Sequence, residues 1–152
     1  LGKLLHSDDR TVQLEISTAL HEGTSFNEDF FSVGAEIAEV FDGNVSFLGF
    51  LADDEVSRRM TEADALVAFF PSGVRENNTT VLSAMAHGCA VITNLDEYSP
   101  PWMKHGESVF DVNKLSSFPS GAELSAVRLG AKKSVAPYTF EQLSKLLLKS
   151  ES

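Results

Sequence analysis

The sequence predicts an α/β domain built on a doubly wound, parallel sheet, and two observations carry that expectation. Short apolar runs of strand length, at residues 12–16, 45–48, 66–70 and 90–93, alternate with longer segments whose apolar residues recur at helical spacing. The junctions hold turn and cap residues, such as Asp42-Gly43-Asn44 and Gly88, in place of long linkers. Strands that alternate with helices imply right-handed crossovers and a sheet covered on both faces. With 152 residues, 43% hydrophobic and 22% charged, the chain has the size and composition of one domain with a sizeable core.

Taken in order, a short helical segment ends near His6, and Val12-Gln13-Leu14-Glu15-Ile16 alternates as a strand does. Residues 18–26 are rich in Gly, Ser and Thr and read as a loop. From 27 to 41, Phe30, Val33, Ile37, Val40 and Phe41 recur at helical spacing, with Phe30, Phe31 and Phe41 expected in the core. Asp42-Gly43-Asn44 ends that helix, and Gly49 stops the strand at 45–48. Asp53 reads as an N-cap, Asp54 and Glu55 suit a first turn, and Val56 and Met60 share one face. Segment 66–70 is apolar on both sides, as a central parallel strand is. A polar loop from Pro71 leads into a helix over 79–87, stopped by Gly88, and 90–93 is a further buried strand. Beyond Pro100-Pro101 come a weak strand at 108–112 and helices near 122–135 and 139–149. Sheets of this kind take ligands outside the carboxyl ends of their strands, which selects the loops after Ile16, Leu48 and Phe70.

The net charge of −10, with no basic run, argues against binding to a nucleic-acid backbone. An anionic small ligand remains compatible, because a few local donors outweigh a distant average charge. The single cysteine, Cys89, excludes an internal disulfide and a cysteine-based metal cluster, and fits a reducing, cytoplasmic setting. His6, His21, His87 and His105 are too scattered for metal-ligand spacing. The longest apolar run, at 65–70, is far below the ~20 residues that cross a bilayer. Because the chain starts at Leu1-Gly2-Lys3, with neither Met nor a signal-peptide pattern, it is expected to be part of a longer protein.

The most informative stretch runs from Pro71 to Ile92. Physically it is polar loop, helix N-terminus, helix, Gly stop and strand. Asn78, Thr79 and Thr80 stand where a helix begins, and backbone N–H groups there have no intrahelical partner. Those donors and the positive end of the helix dipole suit a phosphate, with Arg75 able to add a bidentate contact and Glu76 able to accept from sugar hydroxyls. Ordinary capping in any doubly wound domain accounts for the same residues equally well. His87, at the helix end, reads as a C-terminal cap and not as a base.

The same residues resemble the C-terminal domain of retaining glycosyltransferases with two Rossmann-like halves, the large group called family 4 or group 1 of the GT-B architecture. Pro71-Ser72, Ala84-Met85-Ala86-His87-Gly88 and Val91-Ile92 match that family's pattern, with Ala90 where Pro is usual. Upstream, Val45-Ser46-Phe47-Leu48-Gly49 is similar to the strand and Gly beside the base, and Ala63-Asp64-Ala65 precedes the next strand as in the family. Downstream, Lys104-His105-Gly106 resembles a loop near the donor sugar, and Tyr138-Thr139-Phe140 the start of the last helix. The likeness covers about residues 11–149.

The resemblance implies one Rossmann-like domain that binds a nucleoside diphosphate sugar. It implies transfer with retention of configuration, without an obligatory metal or other cofactor. Gly49 and Phe50 would lie near the base, Ser72, Asn77, Asn78, Thr79 and Thr80 near the diphosphate, and Ser83 near the ribose. Arg75 and Glu76 would lie at the reacting sugar. The acceptor, a polysaccharide, lipid or other glycoconjugate, would be held by an N-terminal domain outside this chain, together with the first strand and its basic pair. Peripheral membrane association of the full protein would be compatible with such an acceptor. The departures are at the chemistry: Ser83 stands in place of the second family Glu, Arg75 or Glu76 in place of the first, and Asn77, Asn78 and Thr79 in place of Gly-Phe-Gly. They leave open a non-catalytic binding or scaffold domain, and a sugar-nucleotide epimerase of the same architecture.

Overall fold

A computed structural model describes residues 11–17 and 28–138. The fold is α/β, with parallel strands in two small open sheets. The chain divides into two compact units, Leu1–Val56 and Ser57–Ser152.

In the first unit, β1 (Leu14–Ser17) pairs in parallel with β2 (Val45–Gly49), joined through α1 (Glu28–Val40). The register runs Leu14↔Val45 to Ile16↔Phe47 and then Ser17↔Gly49, so Leu48 is skipped and the ladder is irregular at that point. Gly49 has φ 67, a left-handed conformation that glycine adopts without penalty. The expected stop after α1 is present. Asp42 and Gly43 both have positive φ, and the Gly43 N–H returns to the Ala38 carbonyl at 2.8 Å. Among the described side chains of this stretch, Ile37 and Phe41 are half-buried while Val33 and Val40 stay exposed; Phe30 and Phe31, also expected in the core, lie outside the described side chains.

α2 (Asp53–Glu62) carries Asp53, Asp54 and Glu55 in its first turn, where they complement the helix dipole. Asp53 is the first helical residue and not the N-cap expected: the Val56 N–H bonds to the Ala52 carbonyl, so the helical ladder already begins at Ala52.

The second unit holds β3 (Ala65–Val67), α3 (Thr79–His87), β4 (Ala90–Thr93), β5 (Phe110–Asp111) and α4 (Gly121–Val135). Its parallel sheet has the order β3-β4-β5. Within that sheet β4 is the central strand, not segment 66–70 as the sequence suggests, and all four β4 residues are buried. Val91 packs with Val74, Val81, Ala84, Met85 and Val109 on one side, while Ala90 and Ile92 pack with Phe110, Leu124 and Val127 on the other. β3 is also shorter than expected, and Phe69 is half-exposed. The 108–112 strand contracts to two residues followed by a 3-10 turn, Val112–Lys114.

α3 begins and ends where the sequence places it. It closes with Gly88 at φ 75, the Gly88 N–H on the Met85 carbonyl and the Cys89 N–H on the Ala84 carbonyl, the paired bonds of a Schellman stop. α4 opens with a capping box: the Ser120 hydroxyl accepts from the Glu123 N–H, and the Glu123 carboxylate accepts from the Ser120 N–H at 2.8 Å. Two further contacts seat α4. Arg128 donates to the carbonyls of Ala63 and Asp64 at 2.8 and 3.0 Å, just past the end of α2. At Gly130 the helix runs so close to the loop before β5 that a Cβ would lie 1.8 Å from the Glu107 carbonyl oxygen. The helix expected at 139–149 and the segments at 1–10 and 18–26 lie outside the described residues.

Gly130→Ala is expected to destabilise the fold by about 1–3 kcal/mol or more, because backbone must move to admit the methyl group. A lowered urea midpoint at unchanged slope would show it. Thr93→Val has the opposite expected sign. The Thr93 hydroxyl is fully buried without a hydrogen-bond partner, so replacing it with a methyl of like shape raises the urea midpoint, by about 1 kcal/mol in stability.

Candidate functional site

Two loops leave the carboxyl ends of β3 and β4, and side chains bind them to each other. The ladder between the strands continues to the Ala68 N–H, which bonds to the Ile92 carbonyl. The next rung is made by Asn94. Its side-chain oxygen accepts from the Phe70 N–H at 2.9 Å and its amide donates to the Phe70 carbonyl at 2.7 Å, as a neighbouring backbone would. The Val74 N–H then bonds to the Asn94 carbonyl, and the Val74 side chain is fully buried in the core. The first loop is therefore anchored at both ends.

Beyond Val74 the loops meet through charge. Arg75 grips Asp96 bidentately, Nη1 to Oδ1 and Nη2 to Oδ2, both at 2.7 Å. It also donates to the Val74 carbonyl at 3.0 Å and lies 5.7 Å from the centre of the Tyr98 ring, within cation–π range. Asp96 folds its own loop into an Asx turn, accepting from the Tyr98 N–H at 3.0 Å and the Ser99 hydroxyl at 3.1 Å. The Arg75 guanidinium, before the turn bonds, holds the Asp96 carboxyl at about 2, below its ordinary 3.8, and Asp96 in return raises the Arg75 pKa. Gly73, at φ 74, makes room: a Cβ there would sit 2.7 Å from the Asp96 carboxyl carbon.

Between these loops opens a cleft of about 470 Å³, with Arg75, Glu76 and Asn77 on one wall and Tyr98, Ser99, Pro100 and Pro101 on the other. Of the residues singled out by sequence, the structure gathers Arg75, Glu76 and Asn77 here, with Glu76 and Asn77 exposed. Asn78 holds the N-cap position of α3 but makes no side-chain bond to the first turn. Its carboxamide oxygen turns back to the Arg75 N–H at 2.6 Å. Thr79 and Thr80 are exposed on the first turn, and Ser72 is exposed in the loop. Ser83, one turn on, is half-buried. Gly49 and Phe50 belong to the other compact unit, where Phe50 is 52% exposed.

The remaining candidates are structural. The His87 ring, Nδ1 2.7 Å from the Ser83 carbonyl, closes the last turn of α3 as expected of a C-terminal cap. In the Lys104-His105-Gly106 segment, Nδ1 of His105 accepts from the Asp111 N–H and the ring meets Phe110 edge-on, so its proton sits on Nε2. Ser108 closes that loop by accepting from the Lys104 N–H and donating to the Trp102 carbonyl. Burial pushes the Cys89 thiol up, which disfavours a thiolate nucleophile.

Sequence reasoning missed Asn94, Asp96 and Tyr98. The run Asn94-Leu95-Asp96-Glu97-Tyr98-Ser99-Pro100 announces a turn, but the pairing of Asp96 with a residue 21 positions earlier leaves no local sign. Among the described residues no group of His, Cys, Asp and Glu is arranged to hold a metal ion, and no helix is long and apolar enough to cross a membrane. Comparison with protein-family models, with curated proteins and with solved structures finds no match to this chain.

The Asp96 titration has a definite sign. A carboxyl whose pKa is depressed on folding adds stability above its unfolded value and loses it as pH falls through the folded one. For Asp96 that window runs from about pH 4 down to about 2. Urea unfolding followed across it should show the loss in the native chain and a smaller one in Asp96→Asn.

Proposed function

We propose that this chain is the donor-binding half of a two-domain, GT-B type glycosyltransferase, and that it takes a nucleoside diphosphate sugar. The observation that supports this reading best is the cleft at the carboxyl ends of β3 and β4, whose lining reaches Asn77, the residue before the N-cap of α3. The diphosphate lies at the first turn of α3, where backbone N–H groups around Thr79 and Thr80 and the helix dipole stabilise negative charge as the leaving group departs. Glu76 and Asn77 face the sugar and accept from or donate to its hydroxyls. Ser83, half-buried one turn further along α3, serves the ribose. Retention of configuration and independence of an obligatory metal follow from the family likeness. So does an acceptor, glycan, lipid or other glycoconjugate, bound by a further domain.

A second reading has one observation in its favour. The Arg75 charge is already neutralised by Asp96, and the Asn78 oxygen is turned onto the Arg75 N–H, so the loop is built around its own contacts. On that reading the chain is a non-catalytic binding or scaffold domain that has kept the fold.

Calorimetric titration with UDP, GDP and ADP is expected to give saturable heat for one of them, and no binding of any would reject the donor-site reading. In the full-length protein, Glu76→Ala is expected to lower transfer at least about tenfold, a barrier change of ~1.4 kcal/mol. Donor binding with no measurable transfer by the full-length protein would favour the scaffold reading, whereas unchanged transfer in the variant would remove Glu76 from the reacting site.

A further inference from the structure

The position on Arg75 that a ligand's anion would take is filled by the chain itself. Four donors converge on the Asp96 carboxylate: both guanidinium nitrogens at 2.7 Å, the Tyr98 N–H at 3.0 Å and the Ser99 hydroxyl at 3.1 Å. That is the donor set of a phosphate or carboxylate site, already satisfied. Gly73 belongs to the same arrangement, since any side chain there would collide with the carboxyl group. A glycine, a serine and an Asx turn all serve to keep this one carboxylate in place.

The consequence is electrostatic. Arg75 and Asp96 cancel, and Glu76 is left as the uncompensated charge on the cleft wall. A second anion entering the cleft beside Arg75 meets two carboxylates and a guanidinium that is already engaged, and at such short range this repulsion is only partly screened. An uncharged polyol meets no such barrier. Glu76 and Asn77 offer hydrogen-bonding groups, and the Tyr98 ring, 71% exposed, offers an apolar face for the C–H side of a sugar.

We infer that the Arg75–Asp96 pair is a specificity device that admits uncharged hexosyl groups to the cleft and excludes uronic acids and other anionic sugars. The inference rests on the reading of the cleft as the sugar end of a nucleotide-sugar site.

The test compares two donors that differ in one group. UDP-glucose and UDP-glucuronate serve if UDP is the nucleotide bound, and GDP-mannose and GDP-mannuronate if it is GDP. Titrated into the native chain, the neutral sugar is expected to bind about tenfold more tightly than the acid. Asp96→Asn keeps the turn-forming acceptor but removes the charge, and is expected to bring the two within about threefold by strengthening the acid. Arg75→Gln leaves Asp96 unopposed and is expected to widen the gap. A general loosening of the loop would move both variants the same way, so the opposed signs separate specificity from structure. Equal binding of the two sugars to the native chain, or an unchanged ratio in Asp96→Asn, overturns the inference while leaving the donor site intact. Binding of no nucleotide at all overturns the donor-site reading, and the inference with it.

Discussion

When a parallel strand pair ends, its outermost backbone groups face a choice between water and a substitute partner, and here Asn94 is the substitute. Its carboxamide reproduces one more rung on Phe70 after β4 has ceased to be a strand. An orphaned N–H and C=O at that depth would cost on the order of 1–3 kcal/mol each, so the loop after β3 is held where Asn94 holds it. Everything at the carboxyl end of this sheet follows from that anchoring: the burial of Val74, the left-handed Gly73, and the approach of Arg75 to the second loop.

At the same end of the sheet two groups suited to an anion are treated differently by the chain itself. The start of α3 is left without a side-chain cap, because Asn78 is drawn back to the Arg75 N–H. Arg75 in turn is drawn to Asp96. One residue's local contact thus leaves the helix terminus open to an anion, while the next residue's contact removes a cation from use. In the nucleotide-sugar site proposed above, the two effects would act on different parts of the ligand, the helix terminus on the diphosphate and the paired arginine on the sugar.

Away from the cleft, the buried hydrophobic residues among those described gather around β4, α3 and α4. The β4 residues alternate between two hydrophobic clusters, and α4 reaches both, giving Leu124 and Val127 to one and Ala131 and Val135 to the other. Arg128 and Gly130 set the seat of that helix by opposite means, one by hydrogen bonds to carbonyls at the end of α2 and one by the lack of a side chain. With β4 buried on both faces, the loops at its end are free to be polar and exposed.

The sequence by itself determined the local elements wherever one physical signal dominated. Helical spacing and a glycine stop placed α3 and its left-handed end, apolar runs placed β2 and β4, and turn chemistry placed the Asp42-Gly43 corner. It brought Arg75, Glu76 and Asn77 forward as a group, and they share one wall of the cleft. Where two elements compete for the same groups, it was silent or wrong. The apolar run at 66–70 reads as a long central strand, yet the ladder gives way to a side chain after Ala68, and the middle of the sheet belongs to β4. Asn78 reads as a cap and Arg75 as an anion donor, yet both find partners nearer to hand. The contact between Gly73 and Asp96, 23 positions apart in the chain, carries no periodicity and no motif. Local propensity is written in neighbouring residues, but the pairing of charges and orphaned backbone groups depends on which loops the packed strands bring side by side.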